Sequence, residues 1–319
     1  MDDKETRLGF EAEALAGANA GEAEALARGV RADPLGSAAS ARRLAALFAH
    51  AAFAAPERIA AVYDAAAAGW FGTPVGVAPI APPPVQPLAL APAFWTSFWG
   101  LVTDAGGNLE AGEVTVRTAA LGGLLDPAYP ARIAAACSAY PGVLEAARQG
   151  LPDRFSLESL AACPDGSLGE AFRRLIVDNG FDFEVLDRDA LGLSDLTPPL
   201  DYLNTRMLQT HDLWHILAGY RTTKLHEVAI SAFQMAQFGH GYSAMFLAMV
   251  ATAASFRPDP SFSLLAETIL SAWVHGRRTP SMLAIPWESI WDQPIEAIRR
   301  QFGVVAYPSP YPADLFEGA

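Results

Sequence analysis

Apolar residues recur at three- and four-residue intervals along most of the chain, and the strict alternation of a half-buried strand is scarce, so the pattern predicts helices nearly throughout. Leu44, Leu47, Phe48 and Ala51 form one apolar stripe. Pro56 suits the first turn of a following helix that carries Ile59, Val62, Tyr63, Ala66 and Trp70, with Gly69 and Gly72 available to end it. Residues 79–92 are so rich in proline that helical hydrogen bonding cannot be sustained, and an extended linker is expected there. Beyond it, Phe94, Trp95, Phe98 and Trp99 share one helical face. Trp suits a membrane boundary, but buried aromatics dominate cores, which favours a packing face over a lipid-entry patch. Residues 228–256 lack Asp, Glu, Lys and Arg and are long enough to span a bilayer. Gln234, Gln237, Gly239, His240 and Gly241 would be costly in hydrocarbon, so a buried helix or helix pair is expected instead.

These patterns predict an all-α protein: a multi-helix, bundle-like domain over residues 113–319, preceded by a helical N-terminal extension over residues 1–112 that contains the linker. At 319 residues, 51% of them hydrophobic, the chain can bury one large core or two modest ones. Alanine abundance adds intrinsic helix preference. A formal charge of -13 argues against nucleic-acid binding, which needs a basic surface to displace counterions from phosphates. Cys137 and Cys163 are too few for a disulfide scaffold or a thiolate zinc site, and a reducing cytoplasm is the simplest home. The first residues lack the basic region and apolar run of a signal peptide, so secretion is not expected. Peripheral contact with the inner membrane face is compatible with this pattern, and a homo-oligomer is expected.

Candidate chemistry concentrates in residues 200–248. Leu200, Leu203 and Met207 lie on a stripe that continues at His211, Trp214 and His215, so a helix here aims both imidazoles at the apolar interior. Histidines four apart share a helical face and can bind one metal together. Asp212 is turned about 100° away and can complete the shell or act from its flank. Gly219 is a natural break, after which a second helix capped near Thr222 or Thr223 can return with Glu227 facing the histidines. Two imidazoles with one or two carboxylates suit zinc or another borderline divalent ion. Spacing alone leaves an ordinary interior histidine, hydrogen-bonded to a neighbour, as the competing reading.

The run His211-Asp212-Leu213-Trp214-His215, followed after eleven residues by Glu227, resembles the signature of the coenzyme Q biosynthesis protein Coq4 family. Arg206, Gly219 and Gln237-Phe238-Gly239 stand where that family has similar residues. Pro164-Asp165-Gly166-Ser167-Leu168-Gly169 resembles its turn before a helix, and Trp287-Glu288-Ser289-Ile290-Trp291-Asp292-Gln293-Pro294-Ile295 resembles its C-terminal segment. The resemblance covers roughly residues 115–308. His226 replaces the usual glycine before the motif glutamate, and Ser231 replaces a common basic residue, which points to a divergent branch. Beside a helix start, His226 is expected in a surface loop. The first 110 or so residues carry no part of this resemblance.

The resemblance implies a helical protein of isoprenoid quinone synthesis that binds a divalent metal, zinc by its donor set, through His211, Asp212, His215 and Glu227. It further implies a prenylated quinone precursor held beside the metal, oxidative decarboxylation at ring carbon one of a polyprenyl hydroxybenzoate-type precursor, and other quinone-biosynthesis enzymes as partners. Phe233, Phe238, Tyr242, Met245 and Phe246 can line a prenyl tunnel among small residues, or can pack as an ordinary helix interface. Gln237 belongs to the same stretch. Arg206, Lys224, Arg277 and Arg278 can meet an anionic head group, or can be solvated surface charges. A lipid-presenting scaffold for a quinone-biosynthesis enzyme complex is the alternative to a catalyst. A metal phosphohydrolase fits poorly, because no histidine upstream except His50 stands available as a further ligand.

Overall fold

The computed structural model describes residues 3–81, 83, 85–105, 111–180, 183 and 187–317. Among these residues the chain is all-α: helices account for the regular structure, and extended pairing is limited to one isolated bridge between Ser167 and Pro294. The helices are α1 (Asp3–Leu15), α2 (Ala20–Ala32), α3 (Ala38–Ala49), α4 (Ile59–Phe71), α5 (Pro92–Ala105), α6 (Ala111–Gly122), α7 (Tyr129–Ser138), α8 (Val143–Ala147), α9 (Leu157–Leu160), α10 (Leu168–Asn179), α11 (Leu200–Ala218), α12 (Lys224–Phe238), α13 (Gly241–Ser255), α14 (Ser261–Arg278) and α15 (Ile295–Phe302). Two compact units divide the chain: residues 1–136 with 231–278, and residues 137–230 with 279–319. The boundary expected at residues 112 and 113 lies within α6, next to the undescribed residues 106–110. Pro82 and Pro84 of the proline-rich stretch also lie outside the described residues; the rest of that stretch is irregular until α5 begins.

In the first unit the apolar stripe of α3 is fully buried, and α3 runs on into a π turn at His50–Ala54. Pro56 opens a short 3-10 turn that leads into α4, and Gly72, with φ of 71°, ends it as the left-handed cap the sequence predicts. Phe94, Trp95, Phe98 and Trp99 are buried, and their rings meet Phe10, Phe53 and Phe256 edge-on or stacked. The packing face is therefore the correct reading of that patch. Each such fully buried side chain contributes roughly 1.5–3 kcal/mol. The uncharged stretch forms α12 from Val228 onward and all of α13, broken at Gly239 with φ of 72°, which is the predicted helix pair. No helix among the described residues is long and apolar enough to cross a membrane.

The second unit carries the site. Ser167 caps α10 by accepting the Glu170 amide at 3.2 Å, after a turn in which Gly166 has φ of 77°. The amides of Leu168 and Gly169 then donate to the carbonyls of Gln293 and Trp291 at 2.9 and 2.8 Å. A side chain at Gly169 would overlap the Cys163 sulfur and press on the Trp291 backbone, so only glycine permits this approach. Two segments singled out separately in the sequence thus dock on each other, with Phe172 stacked on Trp291 at 5.9 Å. Leu203, Met207, Leu213, Trp214 and Leu217 bury one side of α11 and fix its rotation.

Candidate metal centre

His211 and His215 stand one turn apart on α11, and Gly219, with φ of 77°, ends that helix in the left-handed conformation. The chain reverses over residues 220–223, and α12 starts at Lys224, so Glu227 occupies its first turn. The reversal brings the donors together: His211, His215 and Glu227 offer ligand atoms that all lie within 4.8 Å of one another. The two Nε2 atoms are 3.1 Å apart, and the Glu227 oxygens lie 3.4 Å from His211 Nε2 and 3.3 Å from His215 Nε2. Two atoms bound tetrahedrally at 2.0–2.1 Å from one ion stand about 3.3 Å apart. The three separations are close to that size, with each histidine facing a different Glu227 oxygen.

The chemistry of the donors agrees. His215 is 2% exposed, and its Nδ1 lies 3.3 Å from the Tyr220 carbonyl, which can only accept. His215 Nδ1 therefore donates to that carbonyl, which leaves Nε2 as the ring atom turned toward Glu227. Without an ion, burial would lower the His211 pKa, but the hydrogen bond to Glu227 and the charges of Glu227 and Asp212 raise it above the ordinary value. Burial would raise Glu227, but the hydrogen bonds from both histidines and their charges hold it well below the usual carboxylate range. Asp212 lies outside the three-donor group and acts on His211 through its charge.

His226 corrects the surface-loop expectation. It is 4% exposed, its Nδ1 accepts the Arg221 amide at 2.9 Å, and its Nε2 donates to Ser309 Oγ at 3.1 Å. The C-terminal segment covers it, which local pattern cannot reveal. Arg206 is buried, with its guanidinium held by both Glu288 oxygens, Gln209 and the Ile285 carbonyl. Glu288 is driven below its ordinary pKa by that arginine, against the opposing effect of burial. Lys224 is exposed, and its amide donates to Glu317 at 2.8 Å.

In the first unit, Arg277 pairs with Asp64 at 3.2 Å and Arg278 donates to the Val75 carbonyl at 2.8 Å. Phe233, Phe238 and Met245 are buried, Tyr242 and Phe246 are partly exposed with stacked rings, and the Gln237 amide donates to Gly276 at 2.7 Å. A Cβ at Gly276 would lie 2.6 Å from the Phe233 carbonyl, so α12 and α14 are close-packed at that point. The Tyr220 carbonyl and the Glu288 clamp escaped the sequence reading. The glycine break at 219 is the one local signal that a backbone group would fall beside His215.

The Coq4 profile, described as coenzyme Q (ubiquinone) biosynthesis protein Coq4, matches residues 148–308, half of the chain, and spans all of these donors. The chain belongs to the Coq4 family. Among curated members of the family, the mitochondrial ubiquinone biosynthesis protein COQ4 homolog of Rattus norvegicus is 31% identical over 153 residues, covering 46% of this chain and 54% of that protein. The Homo sapiens homolog is 29% identical over 159 residues, covering 48% of this chain and 56% of its own length. The match thus spans about half the length of the curated Coq4 relatives. A crystal structure from Nostoc punctiforme, described as a candidate ubiquinone biosynthesis protein, superposes with a TM-score of 0.50 at 23% identity. It covers 67% of this chain and 97% of its own, and shares the fold.

Proposed function

We propose that this Coq4 family member binds one divalent ion, zinc by donor preference, through His211, His215 and Glu227, with Asp212 at its flank, and acts on a prenylated aromatic precursor in ubiquinone synthesis. The convergence of the three donor groups within 4.8 Å carries the reading. The bound ion would supply Lewis acidity toward an oxygen of the ring or its carboxylate. His215, held in one tautomer by the Tyr220 carbonyl, keeps its lone pair directed at the site. Glu227 and Asp212 add negative charge that offsets the ion's own. The reaction implied by the family, oxidative decarboxylation at ring carbon one, needs an oxidant from outside this donor group.

Substrate contacts belong to the same proposal. Phe233, Phe238, Tyr242, Met245 and Phe246 have the apolar, adaptable chemistry that suits a prenyl chain. Lys224 is an exposed cation that suits an anionic head, whereas Arg206 and Arg277 already hold carboxylates. A lipid substrate would draw the protein to a membrane surface, within reach of partner enzymes that use the same precursor. Native mass spectrometry with elemental analysis tests the centre: wild type retains about one ion, and the His211→Ala, His215→Ala double variant retains none. An ion kept by the double variant overturns the reading. Turnover by purified protein with precursor in detergent separates catalyst from scaffold, and full ring decarboxylation by metal-stripped protein refutes the Lewis-acid role.

A further inference from the structure

Residues 304–317 run across the α11–α12 reversal and grip it at five points. The Tyr307 amide donates to the Ala218 carbonyl at 2.8 Å, and the Tyr307 ring stacks on Tyr220 at 4.5 Å between centroids. Ser309 Oγ accepts from His226 and itself donates to the Tyr311 carbonyl at 2.7 Å. Thr223 Oγ1 donates to the Ala313 carbonyl at 2.6 Å. A Glu317 oxygen accepts the Lys224 amide at 2.8 Å, which sets a carboxylate on the N-terminus of α12.

Every gripped residue lies within five positions of His215 or Glu227. Tyr220 supplies the carbonyl that orients His215, and stacking on Tyr307 fixes where that carbonyl points. Glu227 sits in the first turn of α12, the part of a helix that frays when its leading amides lack partners. The sequence offers Thr223 as the natural cap, yet its hydroxyl is turned to Ala313, and the carboxylate of Glu317 meets the Lys224 amide instead. We infer that residues 304–317 form a positioning strap for the metal centre, with Tyr307, Ser309 and Glu317 as positioning residues that hold His215 and Glu227 at ligand spacing. This inference rests on the proposed metal reading. Groups that orient ligands from outside the coordination shell typically change metal affinity about 10- to 100-fold when removed.

The test is zinc titration by calorimetry on the full chain, with amide hydrogen exchange of residues 220–228 followed in the metal-free protein and far-UV circular dichroism recorded throughout. The Ser309→Ala, Glu317→Ala double variant is expected to keep its helical spectrum and its stoichiometry, to bind zinc about 10-fold more weakly, and to exchange its α12 amides faster. Glu317→Gln keeps an acceptor for the Lys224 amide and is expected close to wild type. A folded double variant with wild-type affinity overturns the inference while leaving the metal reading intact. Wild type that takes up no zinc overturns both. If the double variant fails to fold, Ser309→Ala alone, which removes one hydroxyl, carries the test, and unchanged affinity and exchange then count against the strap.

Discussion

Substitution of Gly219 by alanine isolates the turn on which the candidate site depends. Gly219 and Gly303 both end helices of the second unit in the left-handed conformation, with φ of 77° and 67°. A side chain in that conformation costs about 1–2 kcal/mol, partly offset by about 0.4–1 kcal/mol because alanine restricts the unfolded chain. The two glycines differ in surroundings. A Cβ at Gly303 would stand 3.4 Å from Pro280 Cγ, an ordinary contact, whereas at Gly219 it would stand 2.8 Å from Ala306 Cβ and 3.3 Å from the Tyr307 nitrogen. Relieving that overlap adds about 1–3 kcal/mol. Gly303→Ala should therefore cost about 1 kcal/mol and Gly219→Ala about 2–4 kcal/mol. Urea unfolding followed by tryptophan fluorescence measures both, and zinc titration should show weaker binding for Gly219→Ala alone. A difference between the two variants below about 0.5 kcal/mol, the usual size of neutral surface changes, would refute the crowding argument.

Other outcomes follow from the same geometry. Asp64→Ala leaves Arg277 buried without its carboxylate and Trp273 Nε1 without its 2.8 Å acceptor, and should lower stability by about 3–5 kcal/mol in chemical unfolding. In metal-free protein, raised His211 contributes stability that is present below its unfolded value of 6.5 and is lost as pH rises through the folded value. Depressed Glu227 contributes stability that is present above its unfolded value of 4.5 and is lost as pH falls through a folded value well below it. The pair should therefore add most to apo stability between those two unfolded values, while stabilisation by zinc should grow as pH rises past the histidine range; thermal melts with zinc and with chelator that show parallel pH profiles would contradict this. Burial pushes the Cys137 thiol up to about 12, so in native protein a thiol reagent should modify partly exposed Cys163 and reach Cys137 only on unfolding. Equal rates at both thiols would count against the core packing around Cys137.

Much of the fold is local enough to read directly from the chain. Helical spacing placed the stripe at Leu44, Leu47 and Phe48, set His211 and His215 on one turn, and marked Gly219 and Gly239 as breaks, because side-chain period and backbone freedom are properties of neighbouring residues. It also limited the candidate ligands to imidazoles and carboxylates within one segment. Which carboxylate converges on the histidines was a tertiary matter: Glu227 arrives through the reversal of the chain, while Asp212, adjacent in sequence, stays at the flank.

Pairings across long separations were likewise beyond local pattern. Glu288 neutralises Arg206 across 82 positions, Ser309 accepts from His226 across 83, and Glu317 takes the Lys224 amide across 93. A charge or hydroxyl looks the same in sequence whether it meets water or a buried partner. The sequence by itself determined the helices, the histidine pair and the breaks, since those follow from spacing along one strand of chain. The tertiary structure alone decided which charges were already taken, why His226 is buried, and what holds Glu227 opposite the histidines, since those depend on which distant segment packs against each face.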